Sequence, residues 1–463
     1  MEGIENRSLH EECGVFGVWG LENASSYIYY GLHSLQHRGQ EGCGIVTVGD
    51  DGHFNTHRGL GLVSDVFNSG NLSQLHGTMG IGHVRYSTFG GGGLDNVQPF
   101  YFHHKYGDFA LAHNGNIVNA KELSDELEEQ GCLFRTTSDS EILAHLIRKP
   151  KGEDRIFHIM EALRRMEGAF SFLIMTRNRI YACRDRHGLR PLSIGTMGKA
   201  YVVSSETCAF SIIGAKFLRD VEPGEIVCID SHGLRSNFYS DDCSSKICSM
   251  EYIYFARPDS KIEGCNVHSV RKECGRLLYR KAPLEADIVV GVPDSSQSAA
   301  MGYSEVSGIP LEVGLVKSRY IGRTFIQPTQ QLRETGVRMK LSAIPEVVEG
   351  KRVVLIDDSI VRGTTSRRIV RMLREAGAKE VHVRIAAPPL TNPCFYGVDI
   401  SDYDQLISAN KTIEQVCETI EADSLVFLDE HELLQSAPGR CDMCFACFNG
   451  DYPTDTFGHY VRK

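Results

Sequence analysis

Three groups of residues in this chain combine type and spacing in ways that suit chemistry. They are Cys13 behind a polar leader, the Asp357-Asp358 pair running into a glycine-threonine loop, and the Cys441-x-x-Cys444-x-x-Cys447 run near the end. Removal of residues 1–12 would leave Cys13 with a thiol and a free amine on one residue. With reference pKa values of about 8.5 for the thiol and about 7.7–8.0 for the amine, either group exchanges a proton with the other near neutrality. That places a nucleophile beside its own base. A lone cysteine is equally an ordinary small buried hydrophobe, so the reading depends on what the rest of the chain supplies.

Polar residues interrupt the apolar runs of the first half at His37-Arg38-Gly39-Gln40, Gly82 to Ser87, His113-Asn114-Gly115-Asn116 and Ser138-Asp139-Ser140-Glu141. An amide hydrolase acting on a free amino acid needs an anchor for the carboxylate, one for the ammonium, and donors for the tetrahedral oxyanion. Arg85 suits the first, Asp139 the second, and Asn114 with the Gly115 amide the third, a set that matches glutamine. Each has a plainer alternative. Asn-Gly is a hairpin-turn signal, Asp139 is placed to cap a helix, and Arg85 would serve as a surface ion-pair donor.

In the second half, the apolar stretch Lys351 to Asp358 reads as a strand ending in paired carboxylates. It is followed by Ser359-Ile360-Val361-Arg362-Gly363-Thr364-Thr365 and a helical pattern from Ser366 to Ala376. Strand, turn and helix N-terminus form a phosphate cradle, with the aspartates placed for ribose hydroxyls and a hard cation. The alternative is an ordinary strand-helix junction with capping residues. It is neither the nucleotide P-loop pattern nor a dinucleotide fingerprint. A second junction, Asp287 to Val292 followed by Pro293-Asp294-Ser295-Ser296, repeats the geometry and suits pyrophosphate, with Ser295 close to the cation. Lys317, Arg319, Tyr320 and Arg323 lie on a basic stretch that reads either as a mobile flap over the pocket or as a solvent-facing loop.

From spacing alone, the terminal cysteines fit an iron-sulfur site, a closed zinc site or unligated thiols. The third thiol lacks the fourth cysteine of the common bacterial run, so a further ligand would come from elsewhere.

These groups must be positioned by a large core, which 463 residues at 42% apolar and 23% charged composition allow. Length predicts two or three domains. A formal charge of −10 with dispersed basic residues speaks against a nucleic-acid binder. No run approaches the ~18 apolar residues of a membrane span, and the acidic leader does not read as a signal peptide. Short apolar runs such as Cys13 to Trp19, Phe109 to His113 and Phe170 to Thr176 predict mostly antiparallel sheets. Helical patterns at Ser138 to Ile147 and Arg155 to Met166 would cover them.

With Glu12-Cys13-Gly14, Leu35 to Glu41 and His113-Asn114-Gly115, the first half resembles the N-terminal-nucleophile glutaminases. Asp357 to Thr365 is similar to the phosphoribosylpyrophosphate motif of type I phosphoribosyltransferases. Joined, over residues 11–455, they resemble the glutamine phosphoribosylpyrophosphate amidotransferases, in particular their iron-sulfur, propeptide-bearing form. The resemblance implies a propeptide at 1–12 and a four-layer αββα glutaminase domain over 13–242. It implies an α/β phosphoribosyltransferase domain over 243–463 carrying a C-terminal cluster segment.

By the same resemblance, Cys13 is the nucleophile after cleavage behind Glu12, Asn114 and Gly115 form the oxyanion hole, and Arg85 and Asp139 anchor glutamine. Ser295, Ser296, Asp357, Asp358, Ser359, Val361, Arg362, Gly363, Thr364 and Thr365 bind phosphoribosylpyrophosphate, and Ser295, Asp357 and Asp358 hold one magnesium ion per subunit. Cys248, Cys394, Cys444 and Cys447 hold one [4Fe-4S] cluster per subunit in a structural role, with Cys441 and Cys243 as spare candidates. The product is 5-phosphoribosylamine, in the first committed step of purine synthesis. The resemblance further implies purine nucleotide inhibitors, a homotetramer and a cytoplasmic setting, with neither nucleic acid nor membrane as a partner. Two other functions fit the sequence less well. A hexosamine- or asparagine-forming amidotransferase would lack the Asp357 to Thr365 loop, and a nucleotide-sensing regulator would have no use for Cys13 and its amide pocket.

Overall fold

The computed structural model describes residues 13–86, 93–105, 107–147, 155–318, 341–400, 402–439, 442–459 and 461. Alternation along the first strands sorts their side chains into layers. In β1 (Gly14–Trp19), Val15 enters a core shared by two sheets while Phe16 and Val18 face a helical layer.

The remaining strands of this half are β2 (Gly42–Val48), β3 (Phe54–Leu60), β4 (Met79–Arg85), β5 (Phe100–Phe102), β6 (Phe109–Ile117) and β7 (Gly168–Thr176). They continue with β8 (Ile180–Arg184), β9 (Ser193–Met197), β10 (Ala200–Ser204), β11 (Lys216–Asp220), β12 (Glu225–Asp230) and β13 (Gly233–Phe238). They form a seven-stranded sheet, β11-β9-β10-β1-β4-β2-β3, and a six-stranded sheet, β13-β12-β8-β7-β6-β5. Val15, Val46 and Ile81 of the first sheet meet Ala112, Leu173 and Val227 of the second. Outside the first sheet pack helices Ala24–Ser34 and Cys208–Ile213 through Ile28, Leu32 and Phe210. Outside the second pack Ala120–Glu129, Ser140–Leu146 and Arg155–Arg165 through Leu123, Leu143 and Leu163. The order helix, sheet, sheet, helix is the expected four-layer sandwich.

The second half is built differently. After the hairpin β14 (Lys261–Ile262) and β15 (Cys265–Asn266), strands β16 (Ile288–Gly291), β19 (Arg352–Asp357), β20 (Glu380–Ile385) and β21 (Ser424–Phe427) form a parallel sheet in that order. A separate ribbon pairs β17 (Leu315–Lys317) with β18 (Leu341–Ala343). Val353 to Ile356 are buried in succession, the near-continuous apolar run of a strand covered on both faces. Helices Val267–Lys281, Gln297–Ser307, Thr364–Glu375 and Ile413–Ile420 complete this core.

Tyr239 packs with the first half and Ile247 with the second. The halves are joined by main-chain bonds from Lys246 N to His187 O (2.7 Å) and Cys248 N to Leu189 O (3.2 Å). No helix among the described residues is long and apolar enough to cross a membrane.

Candidate functional site

Cys13 sits half-buried at the entry to β1, its thiol 3.4 Å from the carbonyl of Tyr86. Two residues on, Val15 lies opposite His83 of β4, whose ring donates from Nε2 to the carbonyl of His113 on β6 (2.9 Å). Burial pushes His83 down to about 3, so the ring is neutral and acts as a strut between the sheets rather than as a cation.

The strut leads to Asn114. Both polar atoms of its side-chain amide are fully buried and have no hydrogen-bond partner among the described residues. Such a group costs stability unless a ligand satisfies it, which fits a donor awaiting an oxyanion. Asn114 and Gly115 do not form a hairpin turn. They lie inside β6, opposite Ser171 and Phe170 of β7. Gly115 has φ +140°, and a Cβ there would lie 2.0 Å from the carbonyl oxygen of Ala169, so no other residue fits this register.

Arg85 is buried at the end of β4 and donates to the carbonyl of Gly93 (3.4 Å), which removes the surface ion-pair reading. Asp139 precedes helix Ser140–Leu146 without capping it. Its Oδ2 instead accepts from the amide of Ile117 (2.9 Å), and Oδ1 lies 3.7 Å from His113 Nδ1. Burial alone would raise its pKa, but the His113 ring and these donors outweigh it and hold the carboxyl below the usual range. A buried, ionised carboxylate at a strand end suits an ammonium.

Sequence reasoning left Arg38 without a role and His37 without a partner. Arg38 is fully buried. Its Nε donates to the carbonyl of Cys13 (3.2 Å), and its other nitrogens donate to Glu206 (2.7 Å) and to both oxygens of Glu251 (2.9 and 2.6 Å). His37 Nε2 lies 2.7 Å from Glu206. The only advance signal was the placement of both in the motif Leu35 to Glu41, because their carboxylate partners lie far along the chain.

The second pocket stands at the carboxyl end of β19. Asp357 accepts from the amide of Asp358 (2.9 Å) and the hydroxyl of Ser296 (3.2 Å), while Asp358 accepts from Ser359 (2.7 Å) and Ser295. Burial raises both carboxyls, Asp357 further because Asp358 adds a like charge. Buried adjacent carboxylates are stable in ionised form when a cation shares them, so this donor set fits a hard divalent ion. Gly363, at φ +75°, opens helix Thr364–Glu375, whose first turn no side chain caps. The amides following Gly363 and the hydroxyls of Thr364 and Thr365 thereby stand at an anion-binding helix end. Val361 O accepts from Ile407 N (2.8 Å) and Arg362 binds Gln405, which pins the loop to the segment beyond β20. Lys317 pairs with Asp294 (2.9 Å) at the pocket rim, whereas Arg319, Tyr320 and Arg323 fall outside the described residues.

Cys248, Cys394, Cys444 and Cys447 come from three separate segments of the chain. Cys248 and Cys444 form a parallel bridge, and the amides of Thr391 and Asn392 both donate to Cys447 O (3.0 Å each). Burial drives the Cys447 thiol well above its ordinary value, and the neighbouring Cys394, Cys248 and Cys444 add to the rise. Among the described residues, no three His, Cys, Asp or Glu side chains close on one metal-ion position. Cys243 is exposed beside Gly224, and Cys441 lies outside the described residues.

Residues 90–211 match a family model described as a glutamine amidotransferase domain, and residues 268–418 match a phosphoribosyl transferase domain. Amidophosphoribosyltransferase of Bacillus subtilis is 56% identical over 459 residues, covering 98% of this chain and 96% of its own length. The Staphylococcus aureus (strain Mu50) enzyme of the same name is 48% identical, with 97% and 92% covered. The solved glutamine phosphoribosylpyrophosphate amidotransferase of B. subtilis with ADP and GMP superposes with a TM-score of 0.92 at 55% identity, covering 97% of this chain and 99% of that one. A structure described as the allosteric regulatory enzyme of purine biosynthesis gives 0.93 at 55% identity, covering 97% and 98%. Two dissimilar pockets carried by one chain, with identity to these enzymes along nearly its whole length, place it by descent: the chain belongs to the amidophosphoribosyltransferase family.

Proposed function

We infer that this chain transfers ammonia from glutamine to phosphoribosylpyrophosphate, giving 5-phosphoribosylamine, glutamate and pyrophosphate in purine biosynthesis. The observation that carries the reading is the pairing of an unsatisfied buried amide at Asn114 with a buried carboxylate pair at a phosphate cradle, in one chain.

After removal of residues 1–12, the Cys13 amine takes the thiol proton and the sulfur attacks the glutamine amide carbon. Asn114 Nδ2 and the Gly115 amide receive the charge that develops on oxygen, while Arg85 holds the substrate carboxylate and Asp139 its ammonium. The carbon-nitrogen bond breaks, ammonia leaves with the proton carried by the Cys13 amine, and water hydrolyses the thioester to glutamate. In the second pocket, Ser359 to Thr365 hold the 5′-phosphate, and Ser295 and Ser296 hold the pyrophosphate. Ammonia forms its bond to C1 as the bond to pyrophosphate oxygen breaks. Ser295, Asp357 and Asp358 would hold magnesium, which when bound stabilises the charge on the departing pyrophosphate.

The same reading divides the chain at 12 and near 242, assigns a structural [4Fe-4S] cluster to Cys248, Cys394, Cys444 and Cys447, and gives Lys317 at the rim a place beside the second pocket. The bridge between Cys248 and Cys444 and the bonds from Thr391 and Asn392 to Cys447, which bring the three cysteine-bearing segments together, support the cluster. Purine nucleotides as inhibitors, a homotetramer and a cytoplasmic setting complete the proposal, supported by family membership and, for the nucleotides, by the ADP and GMP bound to the solved relative. Pyrophosphate release measured with glutamine and separately with ammonia, alongside the intact mass, tests the whole. Release with both and a mass beginning at Cys13 are expected, whereas release with neither in folded protein contradicts it. Iron and sulfide analysis after anaerobic purification tests the cluster, and zinc without labile sulfide would remove it.

A further inference from the structure

The second half of the chain reaches into the first at one buried point. Glu251 follows Cys248 in the turn Glu251–Phe255 and is fully buried. It receives both terminal nitrogens of Arg38 (2.9 and 2.6 Å), and Arg190 lies 3.6 Å away. Glu206, the other carboxylate on Arg38, is itself held from the second half by the hydroxyl of Ser260 (2.6 Å) and the amide of Arg257 (2.9 Å). Arg38 is therefore clamped between two carboxylates, one belonging to the second half and one secured by it. Its remaining nitrogen, Nε, is the atom that holds the carbonyl of Cys13.

A planar guanidinium has little freedom once two carboxylates fix it, so it transmits position. The carbonyl it grips belongs to the residue whose amine and thiol must both face the substrate amide.

We propose that Glu251 is a positioning residue for glutamine hydrolysis: through Arg38 it fixes the carbonyl of Cys13, and so aims the nucleophile of the first half from a residue of the second. The proposal rests on the reading of Cys13 as the nucleophile. It makes the glutaminase half incomplete by itself, because the clamp on its reactive residue is closed only when the segment from Glu251 to Ser260 is in place. Arg85 and Asp139, which hold the substrate, stand outside the clamp, so the effect falls on turnover rather than on glutamine binding.

Glu251→Gln keeps the shape and removes the charge and one acceptor. The expected result in the full-length protein is a glutamine-dependent kcat lower by about tenfold or more, in line with the sensitivity of attack to small misplacement. The KM for glutamine stays within about threefold and ammonia-dependent pyrophosphate release within about twofold, since Glu251 contacts none of the groups assigned to holding either substrate. Glu251→Asp, which keeps the charge but shortens the reach, is expected to restore little. Ser260→Ala, which removes one donor to Glu206 and changes no charge, is expected to lower the same kcat by about twofold to fivefold, and it decides the matter alone if Glu251→Gln does not fold. An unchanged glutamine kcat, or an equal fall with glutamine and ammonia in a variant that melts like the parent, would overturn the proposal. A parent protein that uses ammonia but never glutamine would instead contradict the reading of Cys13, and the clamp with it.

Discussion

The two pockets are built on opposite plans. The pocket proposed for phosphoribosylpyrophosphate draws most of its groups from nine consecutive residues, Asp357 to Thr365, at the end of one parallel strand, with a second short loop beside it. The pocket proposed for glutamine takes its residues from positions 13, 85, 114–115 and 139 and depends on two sheets holding their registers against each other. A contiguous loop carries its geometry locally, whereas a dispersed pocket is only as good as the core behind it. The buried strut from His83 to His113 and the clamp on Arg38 are what such a pocket requires.

This contrast can be broken by substitution. The largest effect is expected from Asp358→Asn, which should lower pyrophosphate release about 100-fold or more with glutamine and ammonia alike, because it removes charge where pyrophosphate departs. Loss confined to glutamine would invert the assignment of the pockets. Asn114→Ala should lower the glutamine-dependent kcat by about 10²–10³-fold and spare ammonia, as removal of one oxyanion donor does. Gly115→Ala should do the same and also destabilise the first half by more than about 1 kcal/mol, since the new Cβ meets Ala169 O at a backbone angle that disfavours alanine. Thermal melting and steady-state rates together check both effects.

Charge burial gives a test with opposite signs in the two pockets. Asp357 has a raised folded pKa, chiefly through burial, so the metal-free folded state binds protons more readily than the unfolded chain and loses stability as pH rises through and above the usual carboxylate range. Asp357→Asn should therefore raise the melting temperature at pH 7 in metal-free buffer while abolishing transfer. Asp139 has a lowered folded pKa, so its contribution is fully present above about pH 4, its unfolded value, and fades as pH falls through the folded one. Asp139→Asn should lower the melting temperature at neutral pH. The smallest effect is expected from Asn116→Ala, which removes the 2.9 Å bond to Phe395 O at the junction of the halves and should cost about 0.5–1.5 kcal/mol by denaturant titration.

What could be read in advance follows the same division. Asp357 to Thr365 declared strand, cradle and helix in order, because the chemistry and the fold occupy the same few residues. The strands of the sandwich were visible as apolar runs, but Asn114-Gly115 stayed open between an oxyanion site and a hairpin turn. The pair that turns a hairpin also satisfies a strand whose neighbour, Ala169, leaves no room for a Cβ, and only the pairing of β6 with β7 separates the two. Arg85 and Asp139 were likewise ambiguous until their burial was known. The bond between Arg38 and Glu251 spans 213 positions and joins the two halves, so no local pattern could announce it.

On the proposed mechanism, one chain makes ammonia in the first pocket and consumes it in the second, with Cys13 serving only the first. Cys13→Ala addresses it most directly, read as pyrophosphate release from phosphoribosylpyrophosphate with glutamine and with ammonia on the same preparation. Release with glutamine should disappear and release with ammonia continue at close to the parent rate. Loss of both activities in a variant that melts like the parent, or survival of glutamine use, would contradict it.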